Sequence, residues 1–332
     1  MIMSIKDKGI LIMKKQIGYI SACSKEDYGI YEYTISEDGL LSKPFLKIPL
    51  YQSKYLSLKD DILVSTVKEE AKAGIFTFNL NNKDSHSLLL NEIPTCFIKQ
   101  DENRIYTANY HEGNIMIYER LEDHIAFIKK IDVRDKAGCH QIIFYKEYFL
   151  VPCLFLDQIL IFHKEDNCFI KAINFPKGSG PRHGVFNKDM TIFYVLSELS
   201  NEIFKFKVNS LDFVLIEQLS LIEKDVDGEG AVIILTEDEK YLYISIRSVD
   251  EIIVVSLNHK MQVIQRKSCG GKHPRDFIYA AKQHCLIIAN RYSNLIVSIR
   301  VNDKTGLLEN QLSEQFVPEP LCVILGKEEE NE

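Results

Sequence analysis

No apolar run in this 332-residue sequence approaches the length of a membrane span, which needs roughly 20 residues. A secretory signal is missing too. It requires an unbroken apolar stretch of about 7–15 residues, and Lys6, Asp7, Lys8, Lys14 and Lys15 interrupt every candidate near the N-terminus. Residues 1–15 are therefore expected to be a loose leader, with Met13 as an alternative start. Basic residues are not in excess: 40 Lys and Arg face 47 Asp and Glu, for a net charge of −7. That argues against a binder of nucleic-acid backbone, which needs a basic face, while leaving room for a local basic pocket. The eight cysteines show no C-x-x-C spacing and several sit inside apolar runs. They read as free buried thiols of a reducing, cytoplasmic compartment. No H-E-x-x-H, paired Cys/His spacing or EF-hand loop occurs, so no metal or other cofactor is expected. No serine stands in a G-x-S-x-G setting. The loop Lys177-GSGPRHG lacks the G-K-[ST] ending and the following helix of a nucleotide-binding loop. Finally, no stretch sustains a helical period over a dozen residues, although a chain of this length and 46% hydrophobic content can bury a large core.

What the chain has instead is a repeat. Segments of the form small or polar residue, Ile or Leu, x, apolar recur around Ile30, Ile75, Ile115, Ile159, Ile203, Ile252 and Ile296. Successive anchors lie 40 to 49 residues apart, close to the period of a four-stranded propeller blade. Before each anchor runs a strand ending in a polar group, such as RIYTANY or CLIIANR. Before that comes a short strand often opened by Pro, His or Gly, such as HQIIFY, HGVFN or PRDFIY. Turn residues punctuate the joins. The expectation is an all-β, seven-bladed propeller over residues 16–326, with an acidic disordered tail at 327–332. The first unit begins at its second strand, GYISACS, and Pro320-LCVIL is an unaccompanied innermost strand. Pairing of residues 320–325 with 17–23 would complete one blade from both ends and leave no unpaired edge at the seam.

Propeller geometry places the polar residues. Starts of innermost strands and ends of second strands meet at one mouth of the central channel. The first group includes His140, Arg182, His183 and Arg275. The second includes Glu69, Asn109, Tyr110, Glu198, Arg247, Asn290 and Arg291. Arg, His and Glu converging from different blades form a pocket for a small anion. Singly, each has another reading: Arg and Glu as solvated rim charges or structural ion pairs, His140 as a turn residue, Asn109 and Asn290 as turn-makers.

The sequence resembles the seven-bladed propeller lactonases of the bacterial 6-phosphogluconolactonase type, relatives of the fungal carboxymuconate-lactonizing enzymes. The matching pieces are GIYEYTISEDGLLS, RIYTANYHEGNIMIY, GCHQIIF, GSGPRHGVF, IFYVLSELSNEIFKF, YLYISIRS, HPRDF, IIANRYSNLIVSIRVNDKTGLL and PEPLCVIL, in family order over residues 17–325. The resemblance implies a catalytic set of His140, Arg182, Glu198 and Arg247. His183, Asn109, Tyr110, Arg275 and Arg291 are the expected substrate-binding residues. The chain departs from the family pattern at Gly230-AVIIL, at Arg291, where Gln is more usual, and at Asp276, where a small residue is common.

The implied activity is hydrolysis of a sugar-acid lactone, with 6-phosphogluconolactone of the pentose phosphate pathway as leading substrate. Glu198 or His140 would deprotonate water, and Arg182 and Arg247 would hold the phosphate or carboxylate and the oxyanion. Lactonization of a muconate-like diacid is the alternative chemistry. A non-catalytic binding scaffold is the alternative class, although tryptophan is absent and with it the Trp-Asp repeat of scaffold propellers. The partner expected is a small anionic sugar lactone, with neither nucleic acid nor membrane.

Overall fold

The structure, a computed structural model, describes residues 15–223 and 229–329. Each repeat unit folds into a four-stranded antiparallel sheet, and seven such sheets stand around a central channel. All seven repeat anchors are fully buried. They lie on the third strand of each sheet, where alternate residues pack against the neighbouring blade. The second strands are buried along almost their whole length; Tyr241–Ile246 and Cys285–Asn290 have no exposed residue. Outermost strands such as Asp212–Ser220 alternate between partly covered and exposed positions. The core is thus a set of wedges between blades. One wedge packs Tyr243, Ile252 and Val254 of one blade on Phe277, Leu286 and Val297 of the next.

Blade I joins the two ends of the chain. From the channel outward it contains Pro320–Glu329, Lys15–Cys23, Tyr28–Ile35 and Phe45–Ile48. The innermost and second strands of the remaining blades are Leu56–Lys59 and Ile62–Glu69 (II), Phe97–Gln100 and Arg104–Asn109 (III), and Ile143–Tyr145 and Tyr148–Cys153 (IV). Then follow Pro181–Phe186 and Ile192–Ser197 (V), Gly230–Leu235 and Tyr241–Ile246 (VI), and Pro274–Ala280 and Cys285–Asn290 (VII). Innermost strands contact each other in ring order from blade V through VI, VII, I and II to III, with the contacts VII to I and I to II made at the seam.

The closing strand pairs Gly18 with Leu325, Tyr19 with Ile324, Ile20 with Val323 and Ser21 with Cys322. This is the pairing that the orphan strands predict. A Cβ on Gly18 would stand 2.3 Å from the ring of the buried Tyr33, so the seam tolerates no larger residue there. The seam is longer than expected: the strand continues to Glu329, which pairs with Lys15. The expected boundaries of the leader at 15 and the tail at 327 are therefore corrected. The charges at 327 and 328 are partnered by adjacent blades, Lys327 Nζ with Asp61 at 2.5 Å and Glu328 with Lys282. The rest of the expected leader and tail, 1–14 and 330–332, lies outside the described residues.

The innermost strand of blade IV also starts later than its sequence pattern predicts, at Ile143 rather than at 140. Around His140 the chain makes other bonds. His140 N donates to Pro152 O at 2.9 Å, and the Gln141 side chain accepts from Gly184 N of the next blade at 2.7 Å. The ladder cannot begin until Ile143.

Deleting residues 318–332 removes the innermost strand of blade I and exposes the edge of Lys15–Cys23. The truncated chain is expected to be insoluble, or to melt at least roughly 10 °C below the full chain. An unchanged melting temperature in a soluble product would show that the seam does not hold the ring.

Candidate active site

The channel mouth is shaped by a bulge repeated around the ring. In blade V, Pro181 pairs with Ser197 and His183 with Leu196, so Arg182 is an extra residue. In blade VII, Arg275 is skipped in the same way between Pro274 and Asp276, and in blade I Leu321 is skipped between Pro320 and Cys322. Blade VI skips Ala231 and Val232 between Gly230 and Ile233. A bulge re-aims the side chain at the break, and Arg182, Val232, Arg275 and Leu321 all line one cavity of roughly 770 Å³.

A second repeated bond brings in the opposing residues. The first residue after the second strand donates its backbone N–H to the carbonyl just before the innermost strand. Glu198 N reaches Gly180 O at 2.8 Å, Arg247 N reaches Glu229 O at 3.0 Å and Arg291 N reaches His273 O at 3.1 Å. In blade V the arrangement is held from outside. Both oxygens of Asp157 accept backbone N–H groups of the glycine loop, from Gly178 at 2.8 Å and Gly180 at 2.9 Å. Gly180 has a φ of +64° and sits against Leu199 and Leu154, so the tight turn that presents Arg182 needs glycine.

His140, Arg182, Glu198 and Arg247 all line this cavity. Arg182 Nε stands 2.6 Å from Glu198 Oε2, and Arg247 Nη2 stands 3.0 Å from Glu198 Oε1. Arg247 Nη2 also lies 3.2 Å from Glu229 Oε2. One carboxylate thus bridges arginines from two adjacent blades. These contacts are charge pairs rather than aligned hydrogen bonds, and Arg182 Nη1 is buried with no protein partner. Burial alone pushes the Glu198 carboxyl up, but Arg182 and Arg247 outweigh it and hold the group below its ordinary value. Arg182 is itself lowered to about 9, by burial first and then by the Arg275 charge. It remains a cation at neutral pH.

The imidazoles behave differently. His140 and His183 stand with ring centroids 5.1 Å apart. Burial, followed by the charge of Arg182, holds both well below the ordinary histidine value. Both are neutral near pH 7. Tyr110, edge-on to His140 at 5.9 Å, is raised to about 12 by burial and the Glu198 charge, so it stays a neutral phenol. The Cys96 thiol also lines the cavity and is pushed up to about 12, chiefly by burial. A thiolate nucleophile is therefore disfavoured there.

Of the other expected binding residues, His183, Tyr110, Arg275 and Arg291 reach the cavity. Asn109 does not: it is buried, and its Nδ2 donates to Asn114 Oδ1 at 2.5 Å within its own hairpin. The turn-making role wins because Asn109 is tied to Asn114, its partner across the hairpin, and the following Tyr110 takes the channel position. Asn290 likewise turns away, donating to Cys269 O at 2.9 Å, and Glu69 lies on the exposed surface. Sequence reasoning missed Lys54, Glu229, His273 and Glu319, which also line the cavity. His273, Glu229 and Glu319 each directly precede an innermost strand, so strand-start position could have found them. Lys54 precedes a strand that no Pro, His or Gly opens, and it carried no such signal.

Asp276 follows the bulged Arg275 and is buried at the seam, where its Oδ2 accepts from Val323 N at 2.9 Å. Burial raises its carboxyl to about 6, above the 3.8 expected for the unfolded chain.

The family model described as "Lactonase, 7-bladed beta-propeller" matches residues 17–325. The 6-phosphogluconolactonase of Bacillus subtilis is 27% identical over 94% of this chain and 98% of its own length. Among solved structures, a protein from Lactobacillus plantarum superposes with a TM-score of 0.87 at 23% identity, covering 95% of this chain and 100% of that one. The periplasmic gluconolactonase of Pseudomonas aeruginosa superposes with a TM-score of 0.81 at 17% identity, covering 94% of this chain and 99% of its own. These two structural likenesses speak for the fold.

The Asp276 carboxyl makes a signed prediction. A folded-state value above the unfolded one means that the native state binds the proton more tightly, so stability is lost as pH rises from about 4 through about 6. Asp276→Asn keeps an oxygen for Val323 N and removes the charge. It is expected to stabilise the chain by on the order of 2 kcal/mol at pH 8, and hardly at all at pH 4. Thermal melting at the two pH values checks this. A pH-independent difference would contradict it.

Proposed function

This chain belongs to the seven-bladed β-propeller lactonase family, and on that premise we propose that it hydrolyses a sugar-acid lactone, 6-phosphogluconolactone, to the open acid. The observation that carries the mechanism is the Glu198 carboxylate held between Arg182 and Arg247 at the channel mouth. In ester hydrolysis, water loses a proton and adds to the carbonyl carbon, the carbonyl oxygen becomes an oxyanion, and the ring C–O bond then breaks. Glu198 takes the proton from water. As its negative charge disappears, an equal charge appears on the carbonyl oxygen beside the same two guanidinium groups. The arginines thus exchange one anionic partner for another without moving, which is the preorganisation that lowers an oxyanion barrier. The proton on Glu198 then passes to the departing ring oxygen. His140 and His183 are neutral and serve as hydrogen-bonding groups for the lactone. A carboxylate held below its ordinary value is a weak base, and this suffices because lactones open readily.

A 6-phosphogluconolactonase would act in the pentose phosphate pathway. The eight free thiols fit a reducing cytoplasm.

The test is hydrolysis of freshly prepared 6-phosphogluconolactone and of gluconolactone, each against its spontaneous rate. Glu198→Gln is expected to lower kcat by roughly 100-fold or more. Because the arginines hold Glu198 ionised, the wild-type rate should stay level from pH 8 down to pH 5 and fall only below the ordinary glutamate value of 4.5. Wild-type rates no faster than background on both lactones would refute the reading. A variant as fast as wild type would remove Glu198 from it.

A further inference from the structure

The cavity carries more positive charge than its reacting end uses. Its lining includes Lys25, Lys54, Arg182, Arg247, Arg275 and Arg291 against Glu198, Glu229, Asp276 and Glu319. Arg182 and Arg247 are engaged by Glu198, and Arg291 is held by Glu319 at 3.1 Å. Of the three that remain, Lys25 is exposed, while Lys54 and Arg275 are half-buried. Among the described residues, no hydrogen bond or ion pair reaches the side chain of Lys54 or the guanidinium of Arg275. The nearby Cys23 and Cys96 are raised thiols and supply no counter-charge. A half-buried cation without a partner has lost part of its hydration, and an anionic ligand would offset that loss.

Lys54 is also firmly placed. Lys54 N donates to Thr66 Oγ1 at 2.7 Å, Thr66 Oγ1 donates to Gln52 O at 2.5 Å, and the hydroxyls of Ser53 and Ser65 meet at 2.7 Å. The loop before the innermost strand of blade II is thereby pinned to the second strand behind it. Burial first, and then the Arg291 and Arg275 charges, lower the Lys54 ammonium below its ordinary value. This is the signature of cations crowded toward one space. In a ring of seven, blade II stands three positions from blade V one way round and three from blade VI the other. Lys54 therefore faces Arg182, Glu198 and Arg247 across the channel.

We propose that Lys54 is the subsite for a phosphate monoester at the end of the substrate remote from the lactone carbonyl, and that it sets the preference for phosphorylated over neutral lactones. The proposal rests on the lactonase reading for its kinetic consequence, but the binding consequence is separate. Its ammonium offers charge-assisted bonds to phosphate oxygens, and the reacting end is left to the Arg–Glu–Arg bridge and the neighbouring Arg275.

Calorimetric binding of 6-phosphogluconate and of gluconate to the wild-type chain, Lys54→Met and Lys54→Arg tests it, with thermal melting as a check on folding. The phosphorylated acid is expected to bind Lys54→Met at least 10-fold more weakly than wild type, with gluconate unchanged and Lys54→Arg recovering most of the loss. In turnover, Lys54→Met should raise KM for the phosphorylated lactone with kcat nearly constant and leave gluconolactone kinetics unaltered. Equal affinity of wild type and Lys54→Met for 6-phosphogluconate would overturn the proposal, as would a wild-type chain with no preference for it over gluconate. So would an equal kcat loss on both lactones, which would put Lys54 at the reacting end. A chain that binds 6-phosphogluconate through Lys54 yet hydrolyses neither lactone would refute the lactonase reading alone. If Lys54→Met is unfolded, Lys54→Gln carries the same comparison, with the same loss expected and an unchanged affinity overturning it.

Discussion

The antiparallel pairing of Pro320–Glu329 with Lys15–Cys23 is the constraint on which the molecule depends. Each interblade core belongs to two sheets, so no blade is a stable unit alone. The cluster around Ile20, Tyr33 and Val323 includes Ile287, Ala289 and Ile296 of blade VII, and the one around Tyr19, Ile30 and Cys322 includes Leu56 and Leu63 of blade II. Opening the seam would strip both wedges at once. Closure also fixes function, because only in a closed ring do the seven strand starts face a common space. The cavity is made of residues that are neighbours solely because the two ends of the chain meet.

Within that frame, the bulged position shows what the fold requires and what it does not. Blades V and VII place Arg182 and Arg275 there, while blades VI and I place Val232 and Leu321 at the corresponding breaks. The backbone geometry accepts an aliphatic side chain equally well. Burying Arg182 and Glu198 costs several kcal/mol of lost hydration for each ion, and a buried pair typically adds little to stability over apolar replacements. The arginines are therefore a burden the fold carries for the cavity. The Asp157 carboxylate on the glycine loop shows the same priority: a second acid is spent on holding Arg182 in place.

Much of this was legible in the sequence, for a physical reason. Strand anchors such as Ile115 and Ile203 are read by their period, and the period survives because each anchor must fill the same gap between blades. Glu198, Arg247 and Arg291 could be placed because each is the first residue beyond a second strand, a position defined by the repeat alone. Of the adjacent pair Asn109 and Tyr110, only Tyr110 reaches the channel, because one residue is all that separates the ladder from it. The bulges were not legible, since an extra residue in a short strand leaves the hydrophobic pattern nearly unchanged. Lys54 was hidden because its placement depends on Ser65 and Thr66 of the following strand, whose hydroxyls read as ordinary strand residues. The tail charges were misread because Asp61 and Lys282 are remote in sequence and adjacent only once the ring is closed.

The site also has to work against the rest of the molecule. A net charge of −7 repels an anionic substrate at a distance, but in physiological salt this repulsion fades within about 8 Å. Inside the mouth, low-dielectric walls let nearby charges dominate. There the six lysines and arginines outnumber the four carboxylates that face them, and the neutral imidazoles of His140 and His183 add no further positive charge that would have to be balanced. Were these histidines protonated at neutral pH, the added repulsion would loosen the hold on Arg182. Burial first, and then the arginines themselves, keep both rings neutral, so they do not add to the charge of the cluster. The cationic excess is confined to a cavity the size of a small ligand, which is why an acidic protein can present an anion-binding centre without an extended basic surface.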